Sequence, residues 1–295
     1  MILQEKKISL FLMGEKGLAV LEAIIKNEMT ESIDCVVSEK DADMLDKSNK
    51  EIRKICRLSN IQYYNRKERF EITTEYIIAI AWRWMIKATS TKTIVLHDSL
   101  LPKYRGFAPL VNMLIHREPY IGVTAFFASD EYDRGNIIDQ ESVRIEYPIR
   151  IVDAIQLISP IYVNISIKII TKIIEHQTLN SSPQNEAEAT YSLWRDEEDY
   201  NIDWNGSAEE IQQFVYSTGY PYKGACSHIN GNKVRILDCE PLPDIHIINR
   251  DVGKVLFYQD GLPVVVCRNG LLKIIEMKND NDDRVILSKT RVRFC

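Results

Sequence analysis

Apolar residues recur along the first half of the chain in two alternating rhythms. Short continuous runs, ISLFLM, IDCVVS, YIIAIAW (Tyr76 to Trp82) and TIVLH, have the length and β-branched content of strands covered on both faces. Between them the spacing lengthens to that of a helix. Leu18, Leu21, Ile24 and Ile25 share one face of LAVLEAIIKN, and Met44, Leu45, Ile52 and Ile55 predict an amphipathic helix within Lys40 to Arg57. After Pro109, LVNMLIHRE reads as a helix, GVTAFFA as a strand, and Ile151 to Glu175 as a long apolar helix. Alternation of this kind predicts an α/β fold with a doubly wound, mostly parallel sheet.

The rhythm then changes. Gln177 to Thr190 (QTLNSSPQNEAEAT) is polar and reads as a linker or a surface excursion. AEEIQQFVYST is a helix, with Ser207 as N-cap and Glu210 closing a capping box. From Ala225 onward come short strands (KVRILDCE, GKVLFY, GLPVVVCR, GLLKIIEM) separated by Asn230-Gly231, Asp260-Gly261 and Asn269-Gly270 turns. This predicts a smaller, barrel-like β-rich domain. The boundary is placed between residues 1–190 and 191–295.

Composition narrows the class. The chain has 295 residues, 45% hydrophobic and 27% charged, with no uninterrupted apolar run of membrane-spanning length. The first apolar patch is too short for a signal-peptide core, so a cytoplasmic protein with no membrane partner is expected. A net charge of −5 argues against a nucleic-acid partner. The six cysteines (Cys35, Cys56, Cys226, Cys239, Cys267, Cys295) form no C-x-x-C pair; Cys226 and His228 alone make no metal site, so reduced thiols and no metal are expected.

Chemistry concentrates where TIVLH ends, in HDSLLPKYRGFAPL, His97 to Leu110. In an open parallel sheet, ligands bind outside the carboxyl ends of strands. The next strand runs into Asp130-Glu131-Tyr132-Asp133-Arg134-Gly135, so a carboxylate is expected beside His97 at that edge. A histidine–carboxylate pair suits proton transfer near neutral pH. Gly135 permits a sharp turn after Asp133, and Arg105 is suited to an anionic group.

LHDSLLPKYRGFAPL, followed by GVTAFF and DRG, resembles the core signature of the N10-formyltetrahydrofolate-dependent formyltransferases. This group includes methionyl-tRNA formyltransferase, glycinamide ribonucleotide transformylase and the sugar N-formyltransferases. KISLFLMGEKGLAVLEAI, YNIDWNGSAEEIQQFVYSTGYPYKGA and DVGKVLFYQDGLPVVVCRNGLLKI resemble further segments of the family in the right order. The resemblance implies that His97 and Asp133 are catalytic and that 10-formyltetrahydrofolate is the formyl donor. It places the folate against Trp82, Arg83, Trp84, Met85 and Ile86, against Ser99, Leu100, Leu101 and Pro102, and beside Tyr132. The family's catalytic asparagine, two residues before the histidine, is Val95 here. Valine cannot donate to an oxyanion, so another donor is expected, Asn112 or a backbone N–H.

The implied reaction is formyl transfer to a primary amine. The dense aromatic and acidic stretch ATYSLWRDEEDYNIDW, which includes Trp194, favours an amino sugar, with Lys103 or Arg105 meeting the phosphates of a nucleotide-linked substrate. A sugar N-formyltransferase of surface-glycan synthesis is therefore expected, and a homodimer is compatible with it. The alternatives are a methionyl-tRNA formyltransferase and a folate-binding protein inactivated at Val95.

Overall fold

The computed structural model describes residues 7–40, 45, 47–86, 91–287, 289 and 291–295; Met44 of the expected second helix lies outside them. The first lobe runs β1 (Ile8–Leu12), α1 (Gly14–Lys26), β2 (Ile33–Ser38), α2 (Ser48–Leu58), β3 (Gln62–Asn65), β4 (Tyr76–Ile80), β5 (Lys92–His97) and β6 (Arg105–Gly106). It continues with α3 (Pro109–Ile115), β7 (Tyr120–Phe127), β8 (Ile137–Arg144), α4 (Ile151–Ile174) and β9 (Tyr191–Ser192). Seven strands form one sheet in the order β3-β2-β1-β4-β5-β7-β8. The β1, β2, β3, β4 and β5 ladders are parallel, whereas β7 is antiparallel to both β5 and β8.

Two strands of this sheet escaped the sequence pattern. β3 is only four residues, and β8 is half-exposed along its length with no clean alternation. The second helix begins at Ser48 rather than Lys40.

The antiparallel turn at β7 has a physical cause. A parallel return needs an element that carries the chain back along the sheet. α3 has seven residues, about 10 Å of helix, half the length of a typical strand. The chain therefore re-enters the sheet from the carboxyl edge of β5.

The two faces of the sheet are covered differently. α1, α2, α3 and α4 pack with Ile8, Leu10, Leu12, Ile78, Ile80, Ile94 and Leu96 in the main core. On the other face, Phe11, Cys35, Val37, Ile77 and Ala79 are covered by Phe70, Ile72, Trp82 and Ile86 from irregular segments. By length and composition the 24-residue α4 would suffice to cross a membrane, which the sequence pattern had not suggested. Here its stripe of isoleucines, among them Ile151, Ile155, Ile158, Ile165 and Ile169, is buried in the main core. Each such side chain contributes about 1.5–3 kcal/mol by leaving water.

The second lobe contains α5 (Ala208–Thr218) and the antiparallel sheet β10-β11-β14-β13-β12, formed by β10 (Ala225–Ile229), β11 (Asn232–Leu242), β12 (Val255–Gln259), β13 (Leu262–Val266) and β14 (Leu271–Lys278). The capping box of Ser207 and Glu210 is present as expected. Residues 291–295 bond to His228 at the β10 edge and to Gly253 and Val255 at the β12 edge, which closes the sheet on itself. Trp204 and Phe294 fill its interior, their rings 5.3 Å apart. The lobes are joined by the buried Gln213, whose amide pairs with both backbone groups of Ile149 at 3.0 and 3.1 Å, and by Arg150 with Asp238 at 2.8 Å.

Candidate active site

Side chains alternate along β5, so Thr93, Val95 and His97 share the face without helices. All three line a cavity of about 720 Å³ at the carboxyl edge of the sheet. Val95 lies on its floor between its lateral neighbours Ala79 and Phe126. This volume lies within the range usual for small-molecule sites.

His97 donates its Nε2–H to the Tyr104 carbonyl at 2.9 Å. In the neutral form of the ring, that bond assigns the proton to Nε2 and leaves the lone pair on Nδ1. Nδ1 lies 3.9 Å from Oδ2 of Asp133, with both side chains about nine-tenths buried. The same Oδ2 accepts the backbone N–H of Gly106 at 2.7 Å.

Asp133 arrives by a route the strand pattern did not anticipate. Because β7 is antiparallel, its end lies at the level of Ile94, below His97. Residues 128–133 climb back along the sheet to bring the carboxylate beside the imidazole. The turn that follows depends on Gly135 for close approach, since a Cβ there would meet the Phe127 carbonyl oxygen at 1.5 Å. Asp133 itself has φ 57°, a left-handed conformation that Asp tolerates better than most residues and that concentrates at functional sites.

Of the residues expected to hold the folate, Trp82, Arg83, Trp84, Met85, Ile86 and Tyr132 all line the cavity. Trp82 meets Phe11 and Trp84 edge to face at 4.9 and 5.1 Å, and the Arg66 guanidinium lies over Trp84 at 4.2 Å. Ser99, Leu100, Leu101 and Pro102 do not line it, contrary to expectation. Ser99 is fully buried and donates to the Lys103 carbonyl at 2.7 Å. The Leu101 N–H donates to Thr124 Oγ1 at 3.0 Å, Thr124 donates to the Ser99 carbonyl at 2.6 Å, and Gln140 from β8 completes the knot. This loop braces β5 against β7 and β8.

The expected acceptor residues divide as well. Trp194 lines the cavity with a largely exposed ring. Lys103 is exposed and lies outside it. Arg105 is 1% exposed and cannot meet a phosphate. Its guanidinium donates to Gln184 at 2.8 and 3.1 Å and to Glu186 at 2.6 and 2.8 Å. Asn112 is turned away from the site: its amide donates to the Ala108 carbonyl at 3.0 Å and accepts from Arg195 at 3.0 Å. It cannot replace the asparagine missing at Val95.

Several residues at the site went unread in the sequence. Gln184, from the polar stretch that reads as a linker or a surface excursion, donates to the carbonyls of Asp133 and Gly135 at 2.7 and 2.8 Å while accepting from Arg105. The stretch therefore holds the Asp133–Gly135 loop in place. Lys16, at the start of α1, pairs with Asp98, which also accepts from Tyr162. Burial pushes the Asp98 carboxyl up, but the Lys16 ammonium, its hydrogen bond and that of Tyr162 outweigh burial and hold it below the ordinary range. Burial and the neighbouring Asp98 raise Tyr162 well above its ordinary value. Lys16 was findable, because it follows the first strand at the edge where ligands bind. Arg195, Tyr222 and Lys223 line the side of the cavity nearest the second lobe. Among the described residues no cluster of His, Cys, Asp and Glu is arranged to hold a metal.

The chain matches the family model "Formyl transferase" over residues 6–150 and "Formyl transferase, C-terminal domain" over residues 195–289. A methionyl-tRNA formyltransferase of Staphylococcus epidermidis is 33% identical over 152 residues, 52% of this chain and 48% of that protein. The chain thus spans about half the length of the first curated relatives it matches. Among solved structures, the sugar 3N-formyl transferase WlaRD, in the presence of dTDP and 5-N-formyl-THF, superposes with a TM-score of 0.68 at 21% identity, covering 91% of this chain and 97% of that one. The N-formyltransferase of Helicobacter canadensis, in complex with folinic acid and dTDP-3-aminofucose, gives 0.69 at 19% identity, covering 93% and 100%. These likenesses show a shared fold.

Proposed function

This chain belongs to the formyl transferase family, and we propose that it transfers a formyl group from 10-formyltetrahydrofolate to the primary amine of a nucleotide-linked amino sugar. The observation that carries the reading is the pairing of His97 and Asp133, 3.9 Å apart, on one wall of an aromatic-lined cavity. The cavity suits the folate: its inner end, walled by Ala79, Val95, Trp82, Trp84 and Ile86, accepts a flat ring system. When bound, the folate supplies the electrophilic formyl carbon.

The chain's own residues then handle the protons. Nδ1 of His97 faces the cavity as an acceptor, because Nε2–H is committed to the Tyr104 carbonyl. It takes the proton that the attacking amine loses. The imidazolium so formed places Nδ1–H against the Asp133 carboxylate, which the Gly106 N–H keeps in position. Positioned acid–base catalysis of this kind contributes typically about 10²–10⁴-fold.

The amino-sugar acceptor is supported by the aromatic mouth, where the Phe107 and Tyr132 rings lie 6.2 Å apart and Trp194 stands nearby. The exposed Lys223, which lines the cavity, takes the phosphate-facing role expected of Arg105 and Lys103, whereas Arg195 is held by Asn112 and the Asp199 carbonyl. The names of the two sugar-modifying neighbours support the same reading, whereas those of the sequence relatives support a tRNA acceptor. The test offers dTDP-linked amino sugars and methionyl-tRNA separately, with tetrahydrofolate release as the readout. Release with an amino sugar is expected. Release confined to methionyl-tRNA overturns the sugar assignment, and folate binding without release to any acceptor overturns the enzyme.

A further inference from the structure

One short stretch of main chain holds both members of the His97–Asp133 pair. The Tyr104 carbonyl accepts Nε2–H of His97 at 2.9 Å, and two residues on, the Gly106 N–H donates to Asp133 Oδ2 at 2.7 Å. The stretch is β6, and β9 fixes it from outside. Arg105 N–H donates to the Thr190 carbonyl at 2.9 Å, and Phe107 N–H to the Ser192 carbonyl at 3.0 Å. Gly106 is needed for this close approach, since a Cβ there would meet the Ser192 carbonyl oxygen at 2.4 Å.

The first residue of this clamp is strained. Tyr104 has φ 57°, in the left-handed region that a bulky side chain seldom enters. Such a conformation persists only where the surroundings hold it. Every polar group of Tyr104 is engaged. Its N–H donates to Thr190 Oγ1 at 2.8 Å, its phenol donates to Glu118 Oε1 at 2.7 Å, and its carbonyl also accepts from Ser192 Oγ at 3.3 Å. Tyr104, Glu118 and Thr190 all lie outside the cavity lining.

The strain has a use, because two acceptors compete for one proton. A neutral imidazole carries its proton on Nδ1 or on Nε2. The Asp133 carboxylate, 3.9 Å from Nδ1, draws the proton to Nδ1. The Tyr104 carbonyl, at hydrogen-bonding distance from the other nitrogen, draws it to Nε2. Only the second arrangement leaves Nδ1 able to take a proton from an attacking amine.

We propose that Tyr104 is a positioning residue. Its left-handed backbone, held by Thr190 and Glu118, keeps the His97 proton on Nε2 against the pull of Asp133. The catalytic value of that placement rests on the formyl-transfer reading, whereas the placement itself does not.

The test reads the ring nitrogens directly, in long-range ¹H–¹⁵N spectra of protein labelled at its five histidines, with His97 assigned through His97→Gln. In the wild type, under conditions where the spectrum shows the neutral ring, the proton is expected on Nε2. Thr190→Val removes the acceptor for the Tyr104 N–H at an exposed position, and Tyr104→Phe removes the link to Glu118. Each should move the proton towards Nδ1. Thr190→Ser keeps the hydroxyl and should restore the wild-type spectrum. A wild-type proton on Nδ1 overturns the proposal, as does a proton that stays on Nε2 in both variants, whatever happens to turnover.

Kinetics supply a second measurement. In Thr190→Val, kcat should fall on the order of tenfold to a hundredfold with the KM for 10-formyltetrahydrofolate unchanged, and Thr190→Ser should recover it. A moved proton with unchanged kcat overturns the positioning role. Wild-type protein that carries the proton on Nε2 but releases tetrahydrofolate with no acceptor refutes the formyl-transfer reading instead, so the two failures are told apart.

Discussion

The segments that follow β4 and β5 leave the sheet at the same edge, and both were expected to wall the folate. Only the first lines the cavity. Residues 82–86 line the cavity, whereas Ser99 to Pro102 are turned into the junction of β5, β7 and β8. The difference is one of hydrogen-bond accounting. The second segment satisfies nearly every polar group it buries, as a brace must. The first instead presents aromatic and aliphatic side chains to the cavity. A dense sequence signature thus marks the residues that hold a site as much as those that touch its contents.

This contrast can be tested from its largest effect downward. His97 ends β5, just before the second segment, and reaches the cavity, and His97→Ala should lower kcat by about 10²–10⁴-fold while leaving folate affinity intact by calorimetry. Arg105 belongs to the same segment but serves only to hold. Arg105→Ala releases Gln184 and with it the Asp133 loop, and a misplacement near 1 Å can cost about a hundredfold. Steady-state kinetics should show that loss in kcat, and hydrogen exchange of residues 130–136 should quicken.

The next two substitutions separate wall from brace. Trp84→Ala removes an aromatic wall and should weaken folate binding by about tenfold, in keeping with roughly 0.5–1.5 kcal/mol per aromatic pair. Ser99→Ala removes one buried hydrogen bond and should cost about 1 kcal/mol of stability in urea titrations, with folate affinity unchanged. If the two effects exchange places, the assignment of wall and brace is reversed.

The smallest effect is a pH dependence. Asp98 is held below its ordinary value of 3.8 in the folded protein, so its ionisation stabilises the fold fully above that value and is lost as pH falls through the lower, folded one. Wild type should therefore exceed Asp98→Asn by a constant margin from neutral pH down to about 4. The margin should shrink below it. A gap that already closes between pH 6 and 5 would place the Asp98 carboxyl above its ordinary range.

What the sequence determined alone is whatever local pattern governs. Strand and helix periods along β1, α1, β2, β4 and β5, the capping box at Ser207, and the glycine turns of the second lobe are short-range physics, and each is present in the fold. His97 was legible because it ends a strand, and Asp133 because a glycine turn follows it. The direction of β7 was not legible, since it depends on whether a seven-residue helix can carry the chain back. Nor were the partners of Arg105, Asn112 and Lys16, which come from Gln184 and Glu186, Arg195, and Asp98, as many as 83 positions away in sequence. An isolated polar residue states what it can bond but not which neighbour will reach it first. Only the packed chain, which must satisfy every polar group it buries, decided which side chains were left for a ligand.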